Sequence, residues 1–209
     1  MRQLIAGLKR NLGAVVIAAV VVLGGCSTPA PVQKLPELRF TQFAPITLDV
    51  SRIEVTSQYQ PPFKEPNVEH LMPKAPAAVA AQWAQDRLRA TGTGDRTAVF
   101  VIRDGSVTEA KLPVDESMKA FFKKQQSERY EGRLDVVVEV RDGRGMILGE
   151  ASATAARGQT VAQDITVDER NRIWFDLART LGADMNSVLE NNMRQYLNRY
   201  VIQRSVGGP

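Results

Sequence analysis

Alternating apolar and polar residues predict five β-strands in this chain. The predicted strands are residues 46–58, 97–102, 107–112, 132–141 and 146–160. The alternation reverses its parity near Ser51 and Arg52, which predicts a bulge in the first strand. Asp104-Gly105 predicts a tight hairpin turn between the second and third strands. Residues 142–145 predict another turn, between the last two strands.

Apolar residues spaced three and four apart predict two helices. The first covers residues 77–90, and Gly92 is placed as its C-terminal cap. The second covers residues 168–200, and it starts behind a capping box formed by Thr166 and Glu169.

The long helical region contains Gly182, which would bend it or split it into two helices. Strands before and between the helices predict an α+β fold. Its expected form is an antiparallel sheet of about five strands, with the short helix and the long C-terminal helical region packed on one face.

Prolines and mixed patterns mark the irregular segments. Residues 27–45 hold four prolines and predict an extended tether with a reach on the order of 60 Å. Residues 60–76 hold five prolines and cannot form regular structure. Residues 113–130 fit a short helix or an ordered loop equally well.

The N-terminus combines a basic end, an apolar core and small residues before a cysteine. The apolar core, residues 12–23, is shorter than the roughly 20 residues of a membrane span. The run Leu23-Gly24-Gly25-Cys26 resembles the lipobox of bacterial lipoproteins. The competing interpretation is an ordinary secretory signal with a cysteine by chance.

The lipobox resemblance implies cleavage after residue 25 and attachment of diacylglycerol to the thiol of Cys26, with palmitate-type acyl chains added. Several acyl chains hold a protein firmly to a membrane, whereas one gives marginal attachment. By the pattern of Gram-negative lipoproteins, Ser27 in place of Asp implies export to the outer membrane, on its periplasmic face, rather than retention at the inner membrane.

The chain is therefore expected to have four parts. These are a signal peptide (1–25), the lipidated cysteine with a proline-rich tether (26–45), a single periplasmic α+β domain (46–202) and a flexible tail (203–209).

The net charge of +4 belongs mainly to the leader. Arg2, Lys9 and Arg10 lie there, so the mature chain has 24 basic residues against 23 acidic ones. Nucleic-acid binding needs a concentrated basic face. No nucleic-acid partner is therefore expected.

The residues for common catalytic or metal sites are scarce. One cysteine and one histidine exclude an intrachain disulfide and a zinc ligand set. His70 fits a surface or packing histidine better than a catalytic base. Ser117 and Lys119 have the spacing of a dyad that arises readily by chance. No enzyme activity, cofactor or metal is expected.

Two irregular segments carry apolar residues. Phe63, Leu71 and Met72 lie among prolines, and Phe121 and Phe122 lie among lysines and glutamines. Such residues either tuck under their loop or form a surface that contacts a partner or ligand.

In outline, the chain resembles accessory lipoproteins of Gram-negative envelope transport and assembly systems, and uncharacterised lipoproteins of high-GC proteobacteria. The expected function is a non-catalytic accessory component that contacts an envelope protein. Two alternatives stay open. One is a carrier of lipid or a small apolar ligand, with a cavity between the sheet and the long helix, and the other is an envelope-polymer hydrolase. The long helix could also pair with a second copy, so the oligomeric state is open.

Overall fold

A computed structural model describes residues 35–113, 126–162 and 165–202. A single 3₁₀ turn (Glu69–Leu71) precedes the first helix in these ranges. The strands and helices are β1 (Ile46–Leu48), β2 (Arg52–Ser57), α1 (Pro76–Arg87), β3 (Leu88–Ala90), β4 (Thr97–Asp104), β5 (Val107–Lys111), β6 (Gln126–Arg141), β7 (Ile147–Ala162) and α2 (Val167–Tyr196).

The main sheet is built around β6. Its C-terminal half pairs antiparallel with β4 and its N-terminal half pairs antiparallel with β5, along the same edge. Its other edge pairs along almost its whole length with β7, which confirms the hairpin predicted around residues 142–145. β2 joins the far side of β4 in parallel. The strict alternation of apolar residues in β6 suits this central place, because every second side chain faces the core.

The hairpin predicted at Asp104-Gly105 is wrong, because β4 and β5 run on in one direction along β6. The Asp104 carboxylate accepts a hydrogen bond from the Ser106 N–H (2.9 Å), which kinks the chain without reversing it. Gly105 lies against the start of α1, where an added Cβ would stand 2.7 Å from the Cβ of Ala77. A close approach, not a hairpin turn, therefore requires this glycine.

The predicted first strand is divided between two sheets. β1 pairs in parallel with β3 as a two-stranded sheet, and β2 belongs to the main sheet. The break falls at residues 49–51, where the alternation reverses its parity. The first helix ends at Arg87, because residues 88–90 form β3. Gly92 is therefore not a helix cap, and it lies beyond β3 with a φ of 79°.

The fold class is α+β as predicted, but the sheet is not purely antiparallel. The β2–β4 and β1–β3 pairs are parallel. Parallel neighbours need a long crossover connection. The chain between β2 and β4 supplies one, since it contains the 3₁₀ turn and α1.

Both helices pack on one face of the main sheet. Side chains that are fully buried there come from α1, α2, β4 and β6; they include Val79, Trp83, Phe100, Tyr130, Leu134, Leu181, Met185 and Leu189. On the opposite face, the buried valines Val99, Val101 and Val137 form a small separate cluster.

The long helix begins at the predicted capping box and is not divided. The Thr166 hydroxyl accepts from the Glu169 N–H, and the Glu169 carboxylate accepts from the Thr166 N–H. The helix continues through Gly182 for 30 residues. An added Cβ at Gly182 would lie 2.6 Å from Val79 Cγ1. This glycine therefore permits close packing of the two helices.

Residues 35–45, expected in the tether, contact the helices and are called the strap here. Phe40 is buried, and its N–H donates to the carboxylate of Asp86 (2.8 Å). Arg39 donates to the same carboxylate through two nitrogens. The guanidinium of Arg87 lies 5.1 Å from the centre of the Phe43 ring, as in a cation–π contact. The packed part of the chain thus begins before Ile46.

Candidate functional site: an apolar knuckle between β2 and α1

The loop of residues 58–75, called the knuckle here, exposes two large apolar side chains. Phe63 is 70% exposed and Leu71 is 59% exposed. Two other apolar residues of the loop, Val68 and Met72, are buried in the core. Both interpretations of the apolar residues in this loop therefore apply. Val68 and Met72 fasten the loop to the core, whereas Phe63 and Leu71 are presented to solvent.

A buried carboxylate holds the knuckle in place. Glu69 is 1% exposed, and its carboxylate accepts hydrogen bonds from the Tyr59 hydroxyl (2.5 Å) and the Val107 N–H (3.1 Å). The side-chain amide of Asn67 donates a third, at 3.2 Å. A buried charge is tolerated only when it is paired or hydrogen-bonded in this way.

The pKa shifts of Glu69 and Tyr59 keep the carboxylate ionised and the phenol protonated, as a structural hydrogen bond between them requires. Burial raises the pKa of Glu69, but the hydrogen bonds from Tyr59, Val107 and Asn67 outweigh it, so the pKa lies below its ordinary value. Burial and the neighbouring Glu69 carboxylate raise the pKa of Tyr59 far above its ordinary value. At neutral pH the carboxylate is therefore charged and the phenol keeps its proton, so the phenol donates a strong hydrogen bond.

Backbone hydrogen bonds add a second attachment. The N–H of Val68 donates to the carbonyl of Val107, and the N–H of Glu109 donates to the carbonyl of Pro66, both at 2.8 Å. Asn67 forms an antiparallel bridge with Thr108. The middle of the knuckle is thus paired with the outer edge of β5, which limits its motion relative to the sheet.

The tip of the knuckle is an aromatic pair. The rings of Phe63 and His70 lie 5.5 Å apart with a tilt of 59°. Phe63 has a φ of 55°, a left-handed conformation that is uncommon outside glycine. His70 is exposed, which agrees with its interpretation as a surface residue.

A surface hollow of about 750 Å³ lies beside the knuckle. Its lining includes Lys64, Glu65, His70, Leu71, Glu109 and Lys111. The lining contains two lysines and two glutamates, so its positive and negative charges are equal in number. Small-molecule pockets are mostly enclosed with few charged groups, whereas this hollow is open to solvent and four of its nine lining residues are charged.

The space between the main sheet and α2, where a carrier would need its cavity, is filled with side chains. Tyr130, Leu134, Leu181 and Met185 have no exposed surface. Within residues 35–113, 126–162 and 165–202, two hollows of about 450 and 750 Å³ lie at the surface instead.

Several sequence-predicted sites cannot be placed. Cys26, Ser117, Phe121 and Phe122 lie outside the described residues. In the part of the chain that is described, no group of three or more acidic, histidine or cysteine residues could hold a metal ion. Within the same ranges, no helix has both the length and the apolar character needed to cross a membrane.

Glu69 was missed by sequence reasoning. Its partners stand 10 residues before it (Tyr59) and 38 residues after it (Val107), and no spacing rule connects them. Two glutamates, Glu65 and Glu69, lie in this loop, and the sequence does not indicate which of them is buried.

No protein-family model and no curated protein matches the sequence. Among solved structures, the chain is similar to a minor lipoprotein of Acinetobacter baumannii, at 14% identity over 75% of this chain and 98% of that one, with a TM-score of 0.35. It is similar to the rare lipoprotein B of Shewanella oneidensis, at 10% identity over 71% and 98%, with a TM-score of 0.38. It is also similar to an uncharacterised lipoprotein B of Nitrosomonas europaea, at 10% identity over 78% of this chain and 92% of that one, with a TM-score of 0.36. With TM-scores below 0.5, these similarities carry no argument about function.

Proposed function

We propose that this protein is a lipid-anchored accessory lipoprotein of the bacterial envelope that works by surface contact through its knuckle and not by catalysis. The observation that carries the proposal is the exposure of Phe63 and Leu71 on a loop whose base is fixed by the buried carboxylate of Glu69. Contiguous exposed apolar surface marks interaction sites, whereas apolar side chains exposed singly are common, so the proposal depends on Phe63 and Leu71 acting together on one loop. A loop that is already ordered loses little entropy when it binds.

The anchor part of the proposal rests on the sequence. A basic end, a short apolar core and Leu23-Gly24-Gly25-Cys26 occur in the order that lipoprotein processing needs. Residues 27–34 separate Cys26 from the strap, whose Arg39 and Phe40 fasten the chain to α1. Ser27 favours the outer membrane and its periplasmic face as the location.

The first experiment compares the native chain with Cys26→Ser, using membrane fractionation and the intact mass of the mature protein. We expect the native chain in the outer-membrane fraction, with the mass of a chain that starts at Cys26 and carries acyl groups. We expect Cys26→Ser to lose both. A native chain that is soluble, or that keeps its leader, would remove the anchor from the proposal.

The second experiment tests the contact surface by crosslinking in intact cells and affinity purification. Leu71→Asp places a charge at the knuckle, and Tyr196→Asp is the control, because Tyr196 is exposed to the same degree (60%) on α2. We expect Leu71→Asp to change the set of crosslinked molecules and Tyr196→Asp to leave it unchanged. Identical products from the native chain and both variants would refute contact through the knuckle.

A further inference from the structure

The start of the strap and the base of the knuckle lie side by side. Leu35 and Pro36 line one small hollow, of about 140 Å³, together with Pro73, Lys74 and Phe175. Pro73 stands two residues after Leu71 in the chain. The exposed apolar residues are therefore on the part of the globule where the N-terminal chain arrives.

Chain length limits how far this part can lie from the lipid. Nine residue steps separate Cys26 from Leu35. A fully extended chain covers at most about 3.3–3.6 Å per residue, so the two are at most on the order of 30 Å apart. This is about half the reach expected for a tether that ends at residue 45.

The chemistry of the knuckle matches a lipid–water boundary. Phe63 and Leu71 supply exposed apolar surface, and Lys64 and Lys74 stand close to them in sequence. Apolar groups that enter the headgroup layer, with lysines kept in the polar region, are typical of interfacial segments. Glu69 would oppose such contact if exposed, but its charge is buried and fully hydrogen-bonded. The negative charge of Glu65 offsets the positive charge of the adjacent Lys64. Phe63 and Leu71 would therefore supply most of the free energy of binding to a membrane.

We propose that the knuckle contacts the same membrane that holds the Cys26 lipid, with Phe63 and Leu71 at the headgroup boundary. This inference rests on the proposed function, because it needs the lipid anchor. It also sets the orientation of the globule. Tyr196 lies 21 residues beyond Phe175 on α2, about 30 Å along the helix axis at 1.5 Å per residue, so the proposed orientation holds that end of α2 away from the bilayer.

The test uses the full lipidated protein and one introduced thiol. Cys26 is the only cysteine of the chain, and lipidation consumes its thiol, so Leu71→Cys and Tyr196→Cys each accept a single fluorescent label. These positions are matched in exposure, at 59% and 60%. The labelled proteins are placed in vesicles of phosphatidylethanolamine with a minor share of the anionic lipid phosphatidylglycerol, and the vesicles contain spin-labelled lipids as quenchers.

We expect the label at residue 71 to be quenched about threefold more strongly than the label at residue 196, since only the former enters the headgroup layer. Equal quenching at the two sites, in protein that is bound to the vesicles, would overturn the membrane contact and leave the lipid anchor standing. A Cys26→Ser protein that binds the vesicles as well as the native one would instead count against the proposed function. Thermal unfolding of each labelled variant establishes that it is folded.

Discussion

The knuckle and the core between α2 and the main sheet differ in which side chains they bury and which they expose to solvent. In the core, Leu134, Leu181 and Met185 are fully buried, and the charged side chains of α2 are half-buried or exposed. In the knuckle, the carboxylate of Glu69 is inside, while Phe63 and Leu71 are outside. The informative exceptions in a folded protein are a buried charge and an exposed apolar patch made of several side chains, rather than one exposed leucine. The knuckle combines a buried carboxylate with two exposed apolar side chains, and the proposed function assigns this arrangement to contact with a partner surface.

The largest expected effect comes from removing the same side chain in the two regions. Leu181→Ala should lower the free energy of unfolding by about 3 kcal/mol, because it leaves a cavity against β6 near Gly132. Leu71→Ala should change it by less than about 0.5 kcal/mol, because Leu71 is already in solvent. Chemical denaturation of both variants measures the difference. Similar losses in both would break the comparison, since Leu71 would then belong to the core.

A matched pair of phenylalanines tests whether the strap belongs to the globule. Phe40→Ala should lower the free energy of unfolding by roughly 3 kcal/mol, since Phe40 fills the space beside Gly182 and Val79. Phe63→Ala should have little effect, because its ring is 70% exposed. Denaturation curves with unchanged slopes would show that both variants unfold as the native chain does. A neutral Phe40→Ala would place the strap in the tether instead.

The buried carboxylate should be the next most sensitive position. Glu69→Gln keeps the shape but places amide hydrogens where Val107 and Asn67 also donate, so we expect a loss of about 2 kcal/mol. Glu65→Gln, an exposed change in the same loop, is the control and should be neutral. Thermal unfolding compares the two. Equal stability of both variants would mean that Glu69 does not hold the knuckle.

Acid should act on the same contact with a smaller effect. The pKa of Glu69 is lower in the folded protein than its ordinary value of 4.5, so the charged form stabilises the fold above that pH. This contribution is lost as the pH falls through the folded pKa. Asp86 and Glu190 have lowered pKa values as well and add to the loss. The stability of Glu69→Gln, followed from pH 7 to pH 3, should therefore fall less than that of the native chain. Parallel curves for the two proteins would contradict the role of Glu69.

Local patterns were enough to predict the central hairpin and the long helix. The hairpin of β6 and β7 shows strict alternation around a turn, and α2 shows a capping box before an apolar stripe. The pairing of β1 outside the main sheet and the strand β3 were missed because strands of three residues owe their pairing to tertiary contacts. Gly105 was misassigned because a sequence does not reveal a close approach to Ala77.

The candidate site was predictable only in part. Apolar residues in a proline-rich loop singled out Phe63, Leu71 and Met72, but the sequence did not separate the two exposed residues from Met72, which is buried. The strap was hidden because Phe40 and Phe43, which lie between Pro36 and Pro45, give no periodic signal. The contact between Glu69 and Val107 joins residues that are 38 positions apart, and only the fold brings them together.

The most direct test of the central claim, that the knuckle is the contact surface of an anchored protein, is site-specific photocrosslinking in living cells. A photoreactive amino acid replaces Leu71 in one strain and Tyr196 in another, with and without Cys26→Ser. The inverted arrangement of the knuckle predicts abundant adducts to lipid or protein from residue 71, few from residue 196, and loss of the former when Cys26 is replaced. Equal or absent adducts at residue 71 in the anchored protein would contradict it.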